Sequence, residues 1–434
     1  MLRVERESSY ASELLHALTY NHLSTADHAL TTELVMGVLR WRSRLDDEIQ
    51  QASSQPISKL DLEVLISLRL GLYQFRWLDR VPHRAALHES VELVKRARKR
   101  SAAPFVNAVL RKLAARRQSS NPEAKHFSPE ELASTYAHPL WMVERWVCEY
   151  GLAAAGQICV HDQSPPPTSV RIRNENFTGD EVTLAPGALL ASARRILSGD
   201  ITKTAAFRDG QITIQDEASQ LVAALVSPQA TEHAPRILDC CAAPGGKTAA
   251  IADNNPDASI TAVEVHPHRT RLMKRLLHRT SGSGRIQIVG ADARHLPLSA
   301  SFERVLTDVP CSGTGTLARN PEIKWRLEPS DLVELHERQL AILRSAMTYV
   351  APNGRLIYST CSLEKEENED VIAEALAGTK DFRLVNCLTE LDRLKSAGEL
   401  TWPDPAQLTR GPYLRTIPGV HPCDGFFAAI LEKV

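Results

Sequence analysis

The eight cysteines form no C-x-x-C pair, no stretch of 18 apolar residues occurs anywhere, and the formal net charge is only −1. The first absence removes the zinc-ribbon reading and offers no disulfide framework. The second excludes a membrane-spanning helix. The third withholds the whole-chain basic signature common among nucleic-acid binders. Arg3, Glu5, Arg6 and Glu7 interrupt any apolar stretch at the start, so no signal peptide is expected. The expected compartment is the cytoplasm, where thiols stay reduced and can act as nucleophiles. No metal and no membrane partner is expected, and a monomer is the default.

What is present is ordinary soluble composition: 434 residues, 24% charged and 43% hydrophobic, enough for two or three domains. The near-neutral total conceals an imbalance. Residues 1–126 hold 20 Lys and Arg against 14 Asp and Glu, leaving 31 against 38 for residues 127–434. A basic arm on an acidic catalytic body is the arrangement this suggests.

Three parts follow from periodicity. Residues 1–126 read as an all-helical domain, with apolar residues at three and four spacing from Ala11 to Leu18, Thr32 to Arg42, Asp61 to Arg76, Ala85 to Ala97 and Pro104 to Ala115. A polar linker, residues 118–125, closes it. Residues 127–230 read as a small α+β subdomain, with an alternating strand at Ser169-Val-Arg-Ile-Arg173. Residues 231–434 alternate apolar runs with helical stretches. Strands are expected at 237–239, 260–264, 286–289, 304–308 and 356–360, and a last one near 425–431 that pairs antiparallel because no crossover helix of clear periodicity precedes it. The fold class is therefore α/β, a doubly wound, Rossmann-like, mostly parallel sheet.

Open parallel sheets bind ligands beyond the carboxyl ends of their strands. Four of those ends carry acids: Asp239, Glu264, Asp292 and Asp308. The first strand runs into Cys241-Ala242-Ala243-Pro244-Gly245-Gly246-Lys247, a small-residue turn opening a helix. It is not a phosphate loop of the Walker type, because Cys241 stands where that motif needs glycine. Nor is it G-x-G-x-x-G. Glu264, nineteen residues after Gly245, is placed to hold ribose hydroxyls, and Asp292 to hold an adenine amino group. A rim of carboxylates repels a pyrophosphate but suits the ammonium and sulfonium of S-adenosylmethionine. Lys247 is open to two roles, ordering Asp308 or acting on a thiol.

Two cysteines reach the same edge, Cys311 after the fourth strand and Cys361 after the fifth, each followed by serine. Thiols beside a methyl donor suggest cytosine chemistry. A thiolate added at carbon 6 makes carbon 5 nucleophilic enough to take a methyl group, and a second cysteine can assist release. The other cysteines have no such company.

The runs Cys241-Ala-Ala-Pro-Gly-Gly-Lys-Thr248, Asp308-x-Pro-Cys-Ser-Gly-x-Gly315 and Thr360-Cys-Ser362, with Gln215-Asp-Glu-Ala-Ser-Gln220 and Asp424-Gly-Phe-Phe427, together resemble the RNA cytosine-5 methyltransferases of the NOL1/NOP2/Sun class. The resemblance spans about residue 138 to the C-terminus. It implies a class I methyltransferase fold, S-adenosylmethionine as cofactor, Cys361 as the attacking thiol and Cys311 as the thiol of product release. It also places cofactor contacts at Cys241 to Lys247, Glu264, Asp292 and Asp308, the last shared with the target base. Glu264 stands where Asp is as common.

Glu33-Leu-Val-Met-Gly-Val-Leu-Arg-Trp41 with Leu45-Asp46, and Phe105-Val-Asn-Ala-Val-Leu-Arg-Lys112, resemble a NusB-type RNA-binding domain. That fusion implies small-subunit 16S rRNA as the partner, with a target of the cytosine-967 type. Lys95, Arg96, Arg98, Lys99, Arg100, Arg111 and Lys112, with Arg116 and Arg117, put nine cations in 23 residues, enough for salt-sensitive phosphate contacts. The same motifs would serve another rRNA or a tRNA. A non-catalytic RNA-binding or antitermination factor would have no need of both Cys311 and Cys361.

Overall fold

A computed structural model describes residues 1–7, 9–15, 23–116, 127–173, 182–227, 234–279 and 285–434. The expected linker at 118–125, and Arg117, lie outside these. The chain forms two compact units, one of residues 1–166 together with 317–326, the other of residues 167–316 and 327–434. The segment expected as a small subdomain is thus divided, its helices before Pro166 belonging to the first unit and its strands to the second.

Among its described residues the first unit is built of helices and their connections, with no strand. Thr25–Arg40, Arg42–Ala52, Leu62–Trp77, His83–Arg96 and Ala103–Ala114 surround a core that includes Leu45, Leu68, Leu72, Val94, Leu110 and Leu113. Trp41 and Tyr73 stack on Trp77, with centroids 4.9 and 5.0 Å away. Within the core the buried Arg69 guanidinium grips Asp46 through two bonds of 2.7 Å, the fork-to-carboxylate geometry that offsets burying a charge. Leu140–Tyr150 and Leu152–Asp162 continue the unit. Residues 317–326 complete it. Lys324, 1% exposed, donates to the carbonyls of Arg40 and Ala137, both at 2.9 Å, and Trp325 donates from its ring nitrogen to the Leu39 carbonyl at 2.6 Å.

Among its described residues the second unit holds two sheets. Strands β1 (Ser169–Ile172), β2 (Thr183–Pro186), β3 (Ala193–Ser198) and β4 (Ile212–Ile214) form an antiparallel sheet in the order β2-β3-β1-β4. The larger sheet uses β5 (Arg236–Asp239), β6 (Ser259–Val263), β7 (Ile286–Val289), β8 (Phe302–Asp308), β9 (Val350–Thr360), β10 (Phe382–Val385), β11 (Thr409–Arg410), β12 (Tyr413–Arg415) and β13 (Phe427–Lys433). Its order is β11-β12-β13-β9-β8-β5-β6-β7, with β10 also pairing β13. β7 through β9 run parallel, and β13 lies antiparallel on β9, as its sequence suggests. Near-continuous apolar runs such as Ile237-Leu238 and Leu356-Ile-Tyr358 form strands buried on both faces. Because β5 is flanked by β6 on one side and β8 on the other, the strand order reverses there, which opens a crevice at its carboxyl end.

Candidate active site

All five motifs of the second unit meet at that crevice. The turn after β5 enters the helix Gly246–Asn254 through a cis Ala243–Pro244 bond and Gly245 at φ 107°, a backbone angle that favours glycine. A Cβ on Gly245 would also lie 3.1 Å from Met273. Gly315 and Gly425 approach each other closely: the Gly425 amide donates to the Gly315 carbonyl at 2.8 Å, and a Cβ on Gly315 would lie 2.2 Å from the Gly425 carbonyl oxygen. Asp424 donates its amide to Asp216 at 3.2 Å. The ends of three distant sequence runs therefore share one floor.

Lys247 projects from the first helical turn to Asp308, Nζ to Oδ2 at 2.8 Å, while Ser359 donates to the other oxygen of Asp308 at 2.8 Å. The ammonium also lies 4.9 Å from the Phe426 ring centroid. Burial pulls the Lys247 pKa down, but the charge and hydrogen bond of Asp308, followed by Cys361 and Asp239, outweigh it and leave the lysine more basic than usual. Of the two roles open to Lys247, the geometry displays the ordering of Asp308.

β8 and β9 pair in parallel with Asp308 opposite Ser359, so the residues beyond each tip emerge side by side. Cys311 and Cys361 stand with their sulfurs 3.3 Å apart, both half-buried. The hydrogen bond with Cys361, burial, and the nearby charges of Cys361 and Glu367 hold the Cys311 thiol well above its ordinary range. The two sulfurs are within hydrogen-bonding distance, and either can act as the donor. Cys241 is pushed up too, by burial and by Asp239, Asp308 and Glu264, and is no candidate nucleophile.

Asp239 is 1% exposed; its Oδ2 accepts from Thr248 at 2.7 Å, and its Oδ1 is buried with no hydrogen-bond partner. Glu264, just beyond β6, accepts from the His266 amide at 2.7 Å and faces Arg269 at 3.9 Å. Asp292, after β7, is held in a fork by Arg294 at 2.6 and 3.1 Å, which lowers its pKa to about 2. An orphaned carboxylate oxygen beside a glycine turn fits a cationic ligand that approaches the backbone closely. Among the described residues no group of three or more His, Cys, Asp or Glu side chains is placed to hold a metal ion, and no helix is long and apolar enough to cross a membrane.

Sequence reasoning missed Glu367. It is fully buried and binds the serines that follow each cysteine, a role foreshadowed only by the repeated Cys-Ser pairing. In the first unit Arg96, Arg98, Arg100 and Arg111 are exposed, Arg98 with φ 62° at the end of its helix. Lys95 and Lys99 pair with Glu92 and Asp61 at 2.7 and 2.9 Å, and Lys112 donates to the Ala52 carbonyl at 3.1 Å.

Residues 223–432 match the model of the family described as 16S rRNA methyltransferase RsmB/F, and residues 2–115 that of the NusB family. A Bacillus subtilis (strain 168) protein named "Probable ribosomal RNA small subunit methyltransferase B" is 33% identical, covering 100% of this chain and 97% of its own length. The Vibrio cholerae "Ribosomal RNA small subunit methyltransferase B" is 31% identical over 94% of this chain and 90% of its own. Among solved structures, that of PH0851 superposes with a TM-score of 0.78 at 24% identity, covering 96% of this chain and 92% of that one, which speaks to the fold.

Proposed function

This chain belongs to the 16S rRNA methyltransferase RsmB/F family, and from that premise we propose that it transfers a methyl group from S-adenosylmethionine to carbon 5 of a cytosine in 16S rRNA, of the cytosine-967 type, through a covalent cysteine adduct. The observation that carries this reading is the pair of thiols 3.3 Å apart at adjacent strand tips, beside the glycine turn. One thiol suffices for a nucleophile. A second at contact distance suits a reaction in which a covalent bond must afterwards be broken.

Cys361 is the attacking group: its sulfur adds to carbon 6 and carbon 5 becomes enamine-like. When bound, S-adenosylmethionine supplies an electrophilic methyl group. The turn Cys241 to Lys247, with Asp239, Glu264, Asp292 and Asp308, is where we place it; Asp239 Oδ1 has an unused acceptor for a positive group. Arg294 already engages Asp292, so an adenine amino group would share that carboxylate. Asp308, fixed by Lys247 and Ser359, is also within reach of the role of target-base ligand. After transfer, a base takes the carbon 5 proton and the carbon–sulfur bond breaks. Cys311, at contact distance from Cys361, assists that release.

The basic face of residues 95–112 is assigned to rRNA phosphates, with residues 231–434 carrying the chemistry. The target cytosine leaves its stack to reach Cys361. Cys361→Ala is expected to abolish transfer of labelled methyl to RNA, and retained transfer would sink the nucleophile assignment. Cys311→Ala is expected to accumulate a protein–RNA adduct on denaturing gels. Bisulfite mapping of total RNA with and without the enzyme identifies the cytosine.

A further inference from the structure

Directly behind the two thiols lies a carboxylate with no countercharge. Glu367, fully buried, forms no ion pair among the described residues. Instead each oxygen takes two hydrogen bonds. Oε1 accepts from the Ser312 amide and from Gln339 Nε2, both at 2.8 Å. Oε2 accepts from the hydroxyls of Ser312 and Ser362 in two short bonds. The Glu367 carbonyl accepts from Tyr358 Oη at 2.6 Å, which fixes the backbone that presents the side chain. Four neutral donors on one buried carboxylate are an expensive arrangement unless geometry is what they supply.

The partners explain what that geometry is. Ser312 follows Cys311 and Ser362 follows Cys361, so one side chain grips both cysteine loops at the residue next to each sulfur. The two hydroxyls also lie 3.0 Å apart. Three other bonds join the loops: Gly315 amide to Cys361 carbonyl and Leu363 amide to Thr314 Oγ1, each at 2.9 Å, and Thr314 Oγ1 with Ser362 Oγ at 3.4 Å. None of the three attaches next to both sulfurs.

We propose that Glu367 is a positioning residue that latches the two cysteine loops together and sets the Cys311–Cys361 spacing on which adduct release depends. This rests on the reading of Cys361 as nucleophile and Cys311 as release thiol. Displacing one reacting group by about 1 Å can cost on the order of 100-fold in rate, so a latch at this point controls release without touching RNA or cofactor.

The spacing is measurable without RNA. Diamide takes the two thiol hydrogens of a close pair, leaving a disulfide while its azo bond is reduced to a hydrazine, and mass spectrometry of the Cys311–Cys361 peptide follows the rate. Glu367→Asp, whose shorter arm cannot reach both serines, is expected to slow this coupling at least 10-fold and to accumulate covalent protein–RNA adduct as Cys311→Ala does, with KM for RNA within twofold of wild type. Glu367→Gln, which keeps the length, should fall between.

Wild-type coupling in folded Glu367→Asp overturns the latch. Slowed coupling without adduct, where Cys311→Ala does give adduct, overturns its part in release. If Cys311→Ala itself gives none, the reaction reading fails and the coupling rate alone decides the latch. Should the Glu367 variants lose their melting transition, Ser312→Ala and Ser362→Ala, each shedding one hydroxyl, are judged by the same two measurements.

Discussion

Asp239 combines a satisfied and an unsatisfied oxygen in one buried carboxylate. Burial, opposed by Thr248 and supported by the charge of Asp308, raises its pKa to about 6. The folded protein therefore holds this proton more tightly than the unfolded chain, where a carboxyl titrates near 4. Its contribution to stability is fully present below about pH 4 and is lost as pH rises through about 6, a change of roughly 2–3 kcal/mol. Thermal melts of wild type and Asp239→Asn should diverge across that window, with wild type falling relative to the variant. S-adenosylmethionine should shrink the difference by supplying a positive partner. Parallel melting curves would mean the carboxylate is already compensated. At this scale the sequence was most legible where a residue sits at a strand tip: Cys311 and Cys361 could be placed from strand ends alone. Glu367 could not. It belongs to Glu364-Lys-Glu-Glu-Asn-Glu369, whose four acids in six residues give no sign that Glu364 and Glu367 are buried while Lys365 stays exposed.

Elements were readable in proportion to their periodicity. The five parallel strands and the antiparallel last strand follow from apolar runs, whereas β10, β11 and β12 escaped because two to four residues carry too little pattern. In the helix Thr25–Arg40, Gly37 is required by a neighbour. A Cβ there would lie 2.0 Å from Tyr73 Cζ, and Tyr73 is held in place by donating to Glu33 at 2.6 Å. Residues of the Glu33–Trp41 run thus dock one helix on another. Gly37→Ala gains about 1 kcal/mol of helix propensity but forces Tyr73 off its site, so a net loss of about 1–3 kcal/mol is expected in denaturant titrations. A variant as stable as wild type would show that the two helices can separate freely.

Across the whole molecule, the balance of −1 resolves into a basic N-terminal stretch, with Arg96, Arg98, Arg100 and Arg111 among its exposed cations, and an acidic remainder that includes the carboxylates at the strand ends. Because Lys95 and Lys99 already have carboxylate partners, Arg96, Arg98, Arg100 and Arg111 should carry most of the phosphate attraction. Replacing these four with Gln should weaken RNA binding and flatten the plot of log affinity against log salt by about 0.7 for each lost contact with single-stranded RNA. An unchanged slope would leave the face without a phosphate role. Charge segregation was visible from counting residues, but the identity of the free cations was not, since that depends on which acids fold beside them.

The ten residues Leu317–Arg326 give the molecule an unusual inheritance. The helical unit is written in two places along the chain, and the shorter one follows the Cys311 motif. Recombination at the linker would exchange the long part and leave Lys324 and Trp325 fitted to the carbonyls of a different set of helices. Exchanging residues 1–166 for those of a different helical domain, with 317–326 left in place, should therefore destabilise the helical unit unless Lys324 and Trp325 keep their carbonyl partners.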